Sequence, residues 1–165
     1  MISLKTLYCV ILVTCFVTIQ GHAQSFGYRT LLKGFYDSDF PVIYPNQKEL
    51  ISKAVLLDTR EKSEFEVSHL DNARWVGYDG FQISSVSDIP KNHPIVVYCT
   101  VGARSQEIGK KLKSEGFTQV YNLYGGIIHW VNESNPVFKE EKETEQVHTY
   151  SRMWGVWLKK GEGVF

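Results

Sequence analysis

Cysteine is scarce in this chain, three among 165 residues. That is too few for a disulfide-built scaffold, and an odd number leaves at least one thiol unpaired. There is no charge imbalance either: 18 Lys and Arg stand against 18 Asp and Glu. Without a net field to steer phosphate backbones or anionic bilayers, a general nucleic-acid binder is disfavoured. The apolar run Leu7 to Ile19 stops short of the roughly 18 residues a membrane-spanning helix needs. No internal repeat, low-complexity tract or composition shift divides the chain, and its length suits one domain with a core of its own. No His and Cys spacing matches a zinc site, so neither a metal nor another cofactor is expected.

What is present begins with an export pattern over residues 1–23. Lys5 is the only formally charged side chain there, the apolar run follows, and Gly21-His22-Ala23 places small residues at the third-last and last positions before a cut after Ala23. The expectation is a signal peptide and an exported, periplasmic or secreted protein. Two alternatives stay open. One is an uncleaved anchor. The other is a lipid on Cys15, because Leu12-Val13-Thr14-Cys15 loosely resembles a lipobox, although Thr14 is a poor residue before a lipidated cysteine. Membrane contact is not expected unless Cys15 is lipidated. Cleavage removes Cys9 and Cys15 and leaves Cys99 as the single thiol. That thiol is either buried filler, as free cysteine often is, or it has a chemical role.

Residues 24–44 form an aromatic-rich lead-in. Pro45 and Asn46 open a predicted helix through Lys53, with Leu50 and Ile51 apolar. Ala54 to Leu57 reads as a buried strand ending at Asp58. Asp58 and Thr59 then offer caps for a short helix over Glu61 to Val67, with Phe65 facing inward. A second strand is predicted at Ala73 to Val76, and Tyr78 to Lys91 reads as loop with one helical turn. Ile95-Val96-Val97-Tyr98 is the clearest strand, four apolar residues in succession, as in a parallel strand buried on both faces. Ser105 to Ser114 follows as an amphipathic helix, Val120 to Leu123 as a strand, and Gly126 to Asn132 as a helix. Alternating strands and helices predict an α/β domain with a mainly parallel sheet, whose ligands bind beyond the carboxyl ends of the strands. Cys99 falls at such an end.

Cys99-Thr100-Val101-Gly102-Ala103-Arg104-Ser105 joins the clearest strand to the amphipathic helix. Such a loop can curl so that successive backbone N–H groups point inward, with the helix N-terminus adding partial positive charge. Gly102 permits a tight path and Arg104 supplies a fixed cationic fork. Whatever sits at the centre is stabilised when negative, which suits a thiolate or a persulfide.

These residues resemble a single-domain rhodanese, of the thiosulfate sulfurtransferase family, whose active loop reads Cys-x-x-Gly-x-Arg followed by Ser or Thr. Asp58-Thr59-Arg60 with Glu64-Phe65 and His69-Leu70 is similar to that family's first motif. Asn122-Leu123-Tyr124-Gly125-Gly126 with Trp130 is similar to its closing element. The resemblance runs over residues 45–138. It implies a three-layer α/β/α fold with a mainly parallel central sheet. It implies Cys99 as the catalytic nucleophile, Thr100, Val101, Gly102, Ala103 and Arg104 as the substrate-binding loop, and Asp58, Arg60 and Ser105 as loop support. Arg104 either braces the loop or touches substrate.

The implied activity moves a sulfane sulfur from a small donor such as thiosulfate to cyanide or a thiol, a protein thiol included. The alternative is a sulfur-carrier or binding module without useful turnover. Phosphatases of the related fold carry Cys-x5-Arg, one residue more than the Cys-x4-Arg here, so phosphate chemistry is not expected. Two departures stand out: Asp71-Asn72 where the family often has a Pro-Gly type pair, and Thr100 where Arg or Gln is frequent. His69 is expected to be a structural hydrogen-bonder, and Trp75 and Trp130 to be core or near-core aromatics.

Residues 139–165 form a C-terminal extension. Lys139 to Glu145 is a charged run expected to be solvated. Val147 to Leu158 is too apolar to hang in water, and is expected to pack back on the domain, together with Phe26, Tyr28, Phe35 and Tyr36 of the lead-in. Docking to a partner or a membrane surface is the alternative.

Overall fold

The computed structural model describes residues 26–165, so the expected signal peptide, Cys9 and Cys15 lie outside the described residues. Helix α1 (Phe26–Lys33) leads into the compact unit Leu32–Phe165. That unit opens with β1 (Val42–Ile43), α2 (Lys48–Ile51), β2 (Val55–Asp58), α3 (Lys62–Val67) and β3 (Arg74–Trp75). After a 3-10 turn at Ile83–Val86 come β4 (Ile95–Tyr98), α4 (Ala103–Ser114), β5 (Val120–Leu123) and α5 (Gly126–Asn132). The remainder is β6 (Val137–Lys139), β7 (Lys142–Thr144), β8 (Gln146–His148), α6 (Arg152–Gly155) and β9 (Glu162–Val164).

Five strands form one parallel sheet in the order β1-β5-β4-β2-β3. Strand β4 is central because all four of its side chains are apolar and can be covered on both faces. Ile95 and Val97 join Leu57, Ile108, Leu112 and Phe117 in the core under α4. Val96 and Tyr98 turn the other way, toward Leu123, Ile127 and Val131 of the α5 layer. The result is the three-layer α/β/α arrangement. Pairing of Leu57 with Val97 and Asp58 with Tyr98 brings the ends of β2 and β4 level, so the residues that follow them share one edge of the sheet.

Several details differ from expectation. The lead-in is not separate from the sheet: β1 pairs with β5, Val42 opposite Asn122 and Ile43 opposite Leu123, ahead of residue 45. Helix α3 begins with a capping box between Glu61 and Glu64, not with Asp58 or Thr59. Its buried side chain is Glu64 at 2% exposure, while Phe65 is only half-buried and stacks on His69. Trp75 is not core. It lies on edge strand β3, is 39% exposed, and donates its indole N–H to the Arg60 carbonyl at 2.8 Å. Trp130 is half-buried against the α5-side core.

The charged run forms the antiparallel hairpin β6-β7, with most of its side chains exposed. Beyond it, β8 and β9 pair in parallel. Val147 is sealed in the α5-side core, and Trp154 meets Phe35 edge-on at 5.6 Å. Two hydrogen bonds from Asn132 of α5 anchor the extension further: its amide donates to the Trp157 carbonyl at 2.9 Å, and its Oδ1 accepts from Lys159 N–H at 2.7 Å. Phe26, by contrast, is exposed.

Candidate active site

The chain leaves β4 at Cys99 and turns through Gly102 into α4. Gly102 has φ +103 and lies so close to the Tyr36 phenol that a Cβ there would be 1.7 Å from its oxygen. Only glycine satisfies both constraints. The turn lets Gly102 N–H donate to Cys99 Sγ at 3.1 Å. Sγ therefore lies beside the N-terminus of α4, where the amides of Ala103, Arg104 and Ser105 have no intrahelical acceptor. That location favours negative charge on sulfur. Cys99 itself is 1% exposed, at the floor of the loop.

Three neighbouring elements hold this loop from outside. The first is the N-terminus of α5: Ile127 N–H donates to the Cys99 carbonyl at 2.9 Å and Ile128 N–H to the Thr100 carbonyl at 3.3 Å. Turning those carbonyls outward leaves the opposite side of the loop for donors. The approach requires Gly126, where a Cβ would meet the Cys99 carbonyl oxygen at 2.3 Å. The second is Asn122 of β5, whose amide donates to the Gly102 carbonyl at 2.8 Å while its oxygen accepts from Ser105 Oγ at 2.7 Å. The third is Tyr36, whose hydroxyl donates to the Val101 carbonyl at 2.8 Å and accepts from Gly125 N–H at 2.7 Å.

Arg104 and Thr100 both turn to Glu64. Arg104 donates from Nη1 and Nη2 to the two carboxylate oxygens at 2.7 and 2.9 Å. Nη2 also reaches Thr100 Oγ1 at 3.0 Å, and the Thr100 hydroxyl donates to Glu64 Oε1 at 3.1 Å. Burial pushes the Glu64 carboxyl up, but the paired guanidinium outweighs it and holds the group below its ordinary range. The Arg104 guanidinium loses solvation too, yet Glu64 and the nearby Cys99 keep it firmly protonated.

Asp58 and Arg60 form a fully buried ion pair at 2.6 Å beneath the same sheet edge. Asp58 also accepts the Arg60 backbone N–H at 2.9 Å, and Arg60 Nη2 donates to the Ser68 carbonyl at 2.6 Å. The pair ties the turn after β2 to the end of α3, which is the helix that carries Glu64. His69 exchanges backbone hydrogen bonds with Phe138, and its Nδ1 lies 3.0 Å from the Leu70 carbonyl. His129 lies in α5, with Nδ1 2.8 Å from the Tyr124 carbonyl.

All the expected loop residues, Cys99 to Ser105, thus come together, with Asp58 and Arg60 beside them. Sequence reasoning missed Glu64, Tyr36 and Asn122 as parts of the site. Asn122, a polar residue inside an otherwise apolar strand, was the available signal. The C-terminal extension also reaches the site: the Tyr150 ring lies over the Arg104 guanidinium at 4.9 Å. Among the described residues, no cluster of His, Cys, Asp and Glu could hold a metal ion.

Comparison with known proteins places these features in context. A family model described as the rhodanese-like domain matches residues 46–133, just over half of the chain. A tRNA uridine(34) hydroxylase of Protochlamydia amoebophila is 37% identical over 93 residues, covering 50% of this chain and 29% of that protein. A probable adenylyltransferase/sulfurtransferase of Mycobacterium tuberculosis is 29% identical over 85 residues, covering 51% of this chain and 22% of that protein. The chain thus spans less than a third of the length of these relatives. Among solved structures, the rhodanese-like domain of an Anabaena protein aligns with a TM-score of 0.55 at 22% identity, over 62% of this chain and 83% of that one. A thiosulfate sulfurtransferase from Pseudomonas aeruginosa aligns with a TM-score of 0.53 at 19% identity, over 60% of this chain and 20% of that one. At these identities the structural likeness speaks for the fold.

Proposed function

The chain belongs to the rhodanese-like family, and from that footing we propose that it is a sulfurtransferase working through a persulfide on Cys99. The observation that carries this reading is the Gly102 N–H held 3.1 Å from Cys99 Sγ at the N-terminus of α4. That arrangement stabilises an anionic sulfur at one fixed point. The name of the mycobacterial relative, a probable sulfurtransferase, supports the same chemistry.

The reaction runs in two halves. The Cys99 thiolate attacks the outer sulfur of a donor such as thiosulfate. The donor S–S bond breaks, its electron pair leaves with sulfite, and Cys99 holds the transferred atom as a persulfide. A thiophilic acceptor, cyanide or a thiol, then attacks that outer sulfur and restores the thiolate. Thr100, Val101, Gly102, Ala103 and Arg104 line the loop that receives the donor. Asp58, Arg60 and Ser105 hold the loop's surroundings, and Glu64 fixes Arg104. No proton relay through His69 or His129 is needed, since thiolate and persulfide do the bond-making.

We further place the reaction outside the cytoplasm, on the export pattern of residues 1–23. Mass measurement of the protein from its native compartment reads this directly: a chain beginning at Gln24 supports it, and an intact N-terminus refutes it. The activity is tested by thiocyanate formation from thiosulfate and cyanide. Turnover in the wild type and none in Cys99→Ala is the expected result. Equal rates in the two proteins would refute the reading.

A further inference from the structure

The extension's contact with Arg104 rests on a strained residue. Tyr150 has φ +67, a left-handed conformation that costs a non-glycine residue roughly 1–2 kcal/mol. The surrounding structure enforces it. Tyr150 N–H donates to His148 Nδ1 at 3.1 Å. On its other side Thr149 is fully buried, donates its N–H to the Val164 carbonyl at 2.9 Å and accepts Ser151 N–H at 2.8 Å. Strand β8, which immediately precedes Tyr150, packs on α3, the helix that carries Glu64. The segment is thus built from both sides to present one side chain, which is 57% exposed and lies over Arg104. Strain maintained in this way marks a functional position.

The position has a chemical consequence. Arg104 is the only cationic residue among residues 99–104. Its two terminal nitrogens are bound to Glu64, one also to Thr100, and a face of the guanidinium lies under the Tyr150 ring, leaving the side chain 18% exposed. Its charge is matched by a carboxylate and its face is shielded from solvent anions. A doubly charged oxyanion entering the loop finds no uncompensated cation there. A persulfide carried on carbon has its charge on the transferable sulfur alone and an organic group that can rest on an aromatic ring.

We propose that Tyr150 is a specificity-determining positioning residue of the Cys99 site, covering Arg104 so that the site takes sulfur from carbon-bound persulfides in preference to thiosulfate. This rests on the Cys99 persulfide reading above. In the preferred half-reaction the Cys99 thiolate attacks the outer sulfur of R–S–SH. The donor S–S bond breaks, the pair leaves as R–S⁻, and the proton stays on the Cys99 persulfide.

The test measures the rate at which Cys99 gains one sulfur atom, by mass spectrometry, with thiosulfate and with benzyl persulfide, across a range of salt concentrations. Wild type, Tyr150→Phe, Tyr150→Ala and Tyr150→Gly are compared; glycine adopts the observed φ without penalty and keeps the backbone if alanine does not. The wild type should load faster from benzyl persulfide. Tyr150→Gly or Tyr150→Ala should raise the thiosulfate rate roughly tenfold, the size of one charge-assisted hydrogen bond regained on Arg104, with a steeper fall in salt. The same variants should lower the benzyl persulfide rate, and Tyr150→Phe should keep the wild-type ratio. Equal loading of the wild type by both donors, or a change by one common factor in the truncated variants, would overturn the inference and leave the persulfide reading standing. Loading by neither donor would remove that reading and the inference with it.

Discussion

Glu64 accepts two parallel hydrogen bonds from Arg104, at 2.7 and 2.9 Å, and so locks the loop after β4 to the helix after β2. Each partner is held by its own element, Glu64 by the capping box of α3 and Arg104 by the first turn of α4. Glu64→Gln keeps the shape and removes the charge. It should destabilise the protein by about 2 kcal/mol, less than the roughly 3–5 kcal/mol of a fully buried pair, because Arg104 retains some contact with water. Urea denaturation checks the stability, and the rate of sulfur loading on Cys99 should fall in the same variant.

Gly126 is the tightest junction of the site. An added Cβ would sit 2.3 Å from the Cys99 carbonyl oxygen and 2.6 Å from the Thr100 carbonyl carbon, both backbone atoms, at φ +56. Backbone cannot swing aside as a side chain can. Gly126→Ala should cost on the order of 3 kcal/mol, combining left-handed strain with displacement of the loop. Thermal unfolding reads that loss, and the surviving folded protein should load sulfur more slowly.

Tyr36 joins the two loops at the sheet edge through one hydroxyl, donating to Val101 and accepting from Gly125. Tyr36→Phe leaves the ring in place. It should cost about 1–3 kcal/mol for the polar groups left behind. If the tie also positions the cradle, loading of Cys99 should slow while the thermal transition stays cooperative. An unchanged loading rate would assign Tyr36 to stability alone.

Acid should weaken the fold in two windows. Burial holds His129 and His148 below the ordinary imidazole value of 6.5. Each therefore binds a proton more readily unfolded than folded. Their contribution is complete above 6.5 and declines as pH falls through that value toward the folded-state values. Glu64 is likewise held below its ordinary 4.5, so its share is complete above 4.5 and is lost as pH falls through the depressed folded value. Urea midpoints measured from neutral to acid pH should fall in both windows. His148→Gln should flatten part of the upper one and Glu64→Gln the lower one.

The central sheet was legible where composition leaves no choice. Ile95 to Tyr98 must be covered on both faces, so the strand, its central place and the position of Cys99 at its end all followed from four residues. Strand β1 was not legible, because Val42 and Ile43 are a strand only by virtue of pairing with β5. The same holds for β7, whose Lys142, Glu143 and Thr144 carry no strand signal apart from the hairpin. Phe65 seemed the natural inward residue of α3, yet Glu64 takes that position, since a carboxylate is buried readily once Arg104 meets it. That partnership joins residues forty positions apart, beyond the reach of local periodicity. Trp75 looked like core by its size but lies on an edge strand with one face toward water. Tyr150 was visible only as part of an apolar tail; its place over Arg104 depends on the return of the whole extension to the domain.

The central claim is that Cys99 carries the transferred sulfur, and intact-protein and peptide mass spectrometry tests it most directly. After incubation with excess donor and removal of the small molecules, the peptide containing Cys99 should gain one sulfur atom. Subsequent cyanide should remove that atom and release an equal amount of thiocyanate. A Cys99 peptide that gains no sulfur from thiosulfate or from benzyl persulfide, or that gains sulfur cyanide cannot remove, would contradict the account.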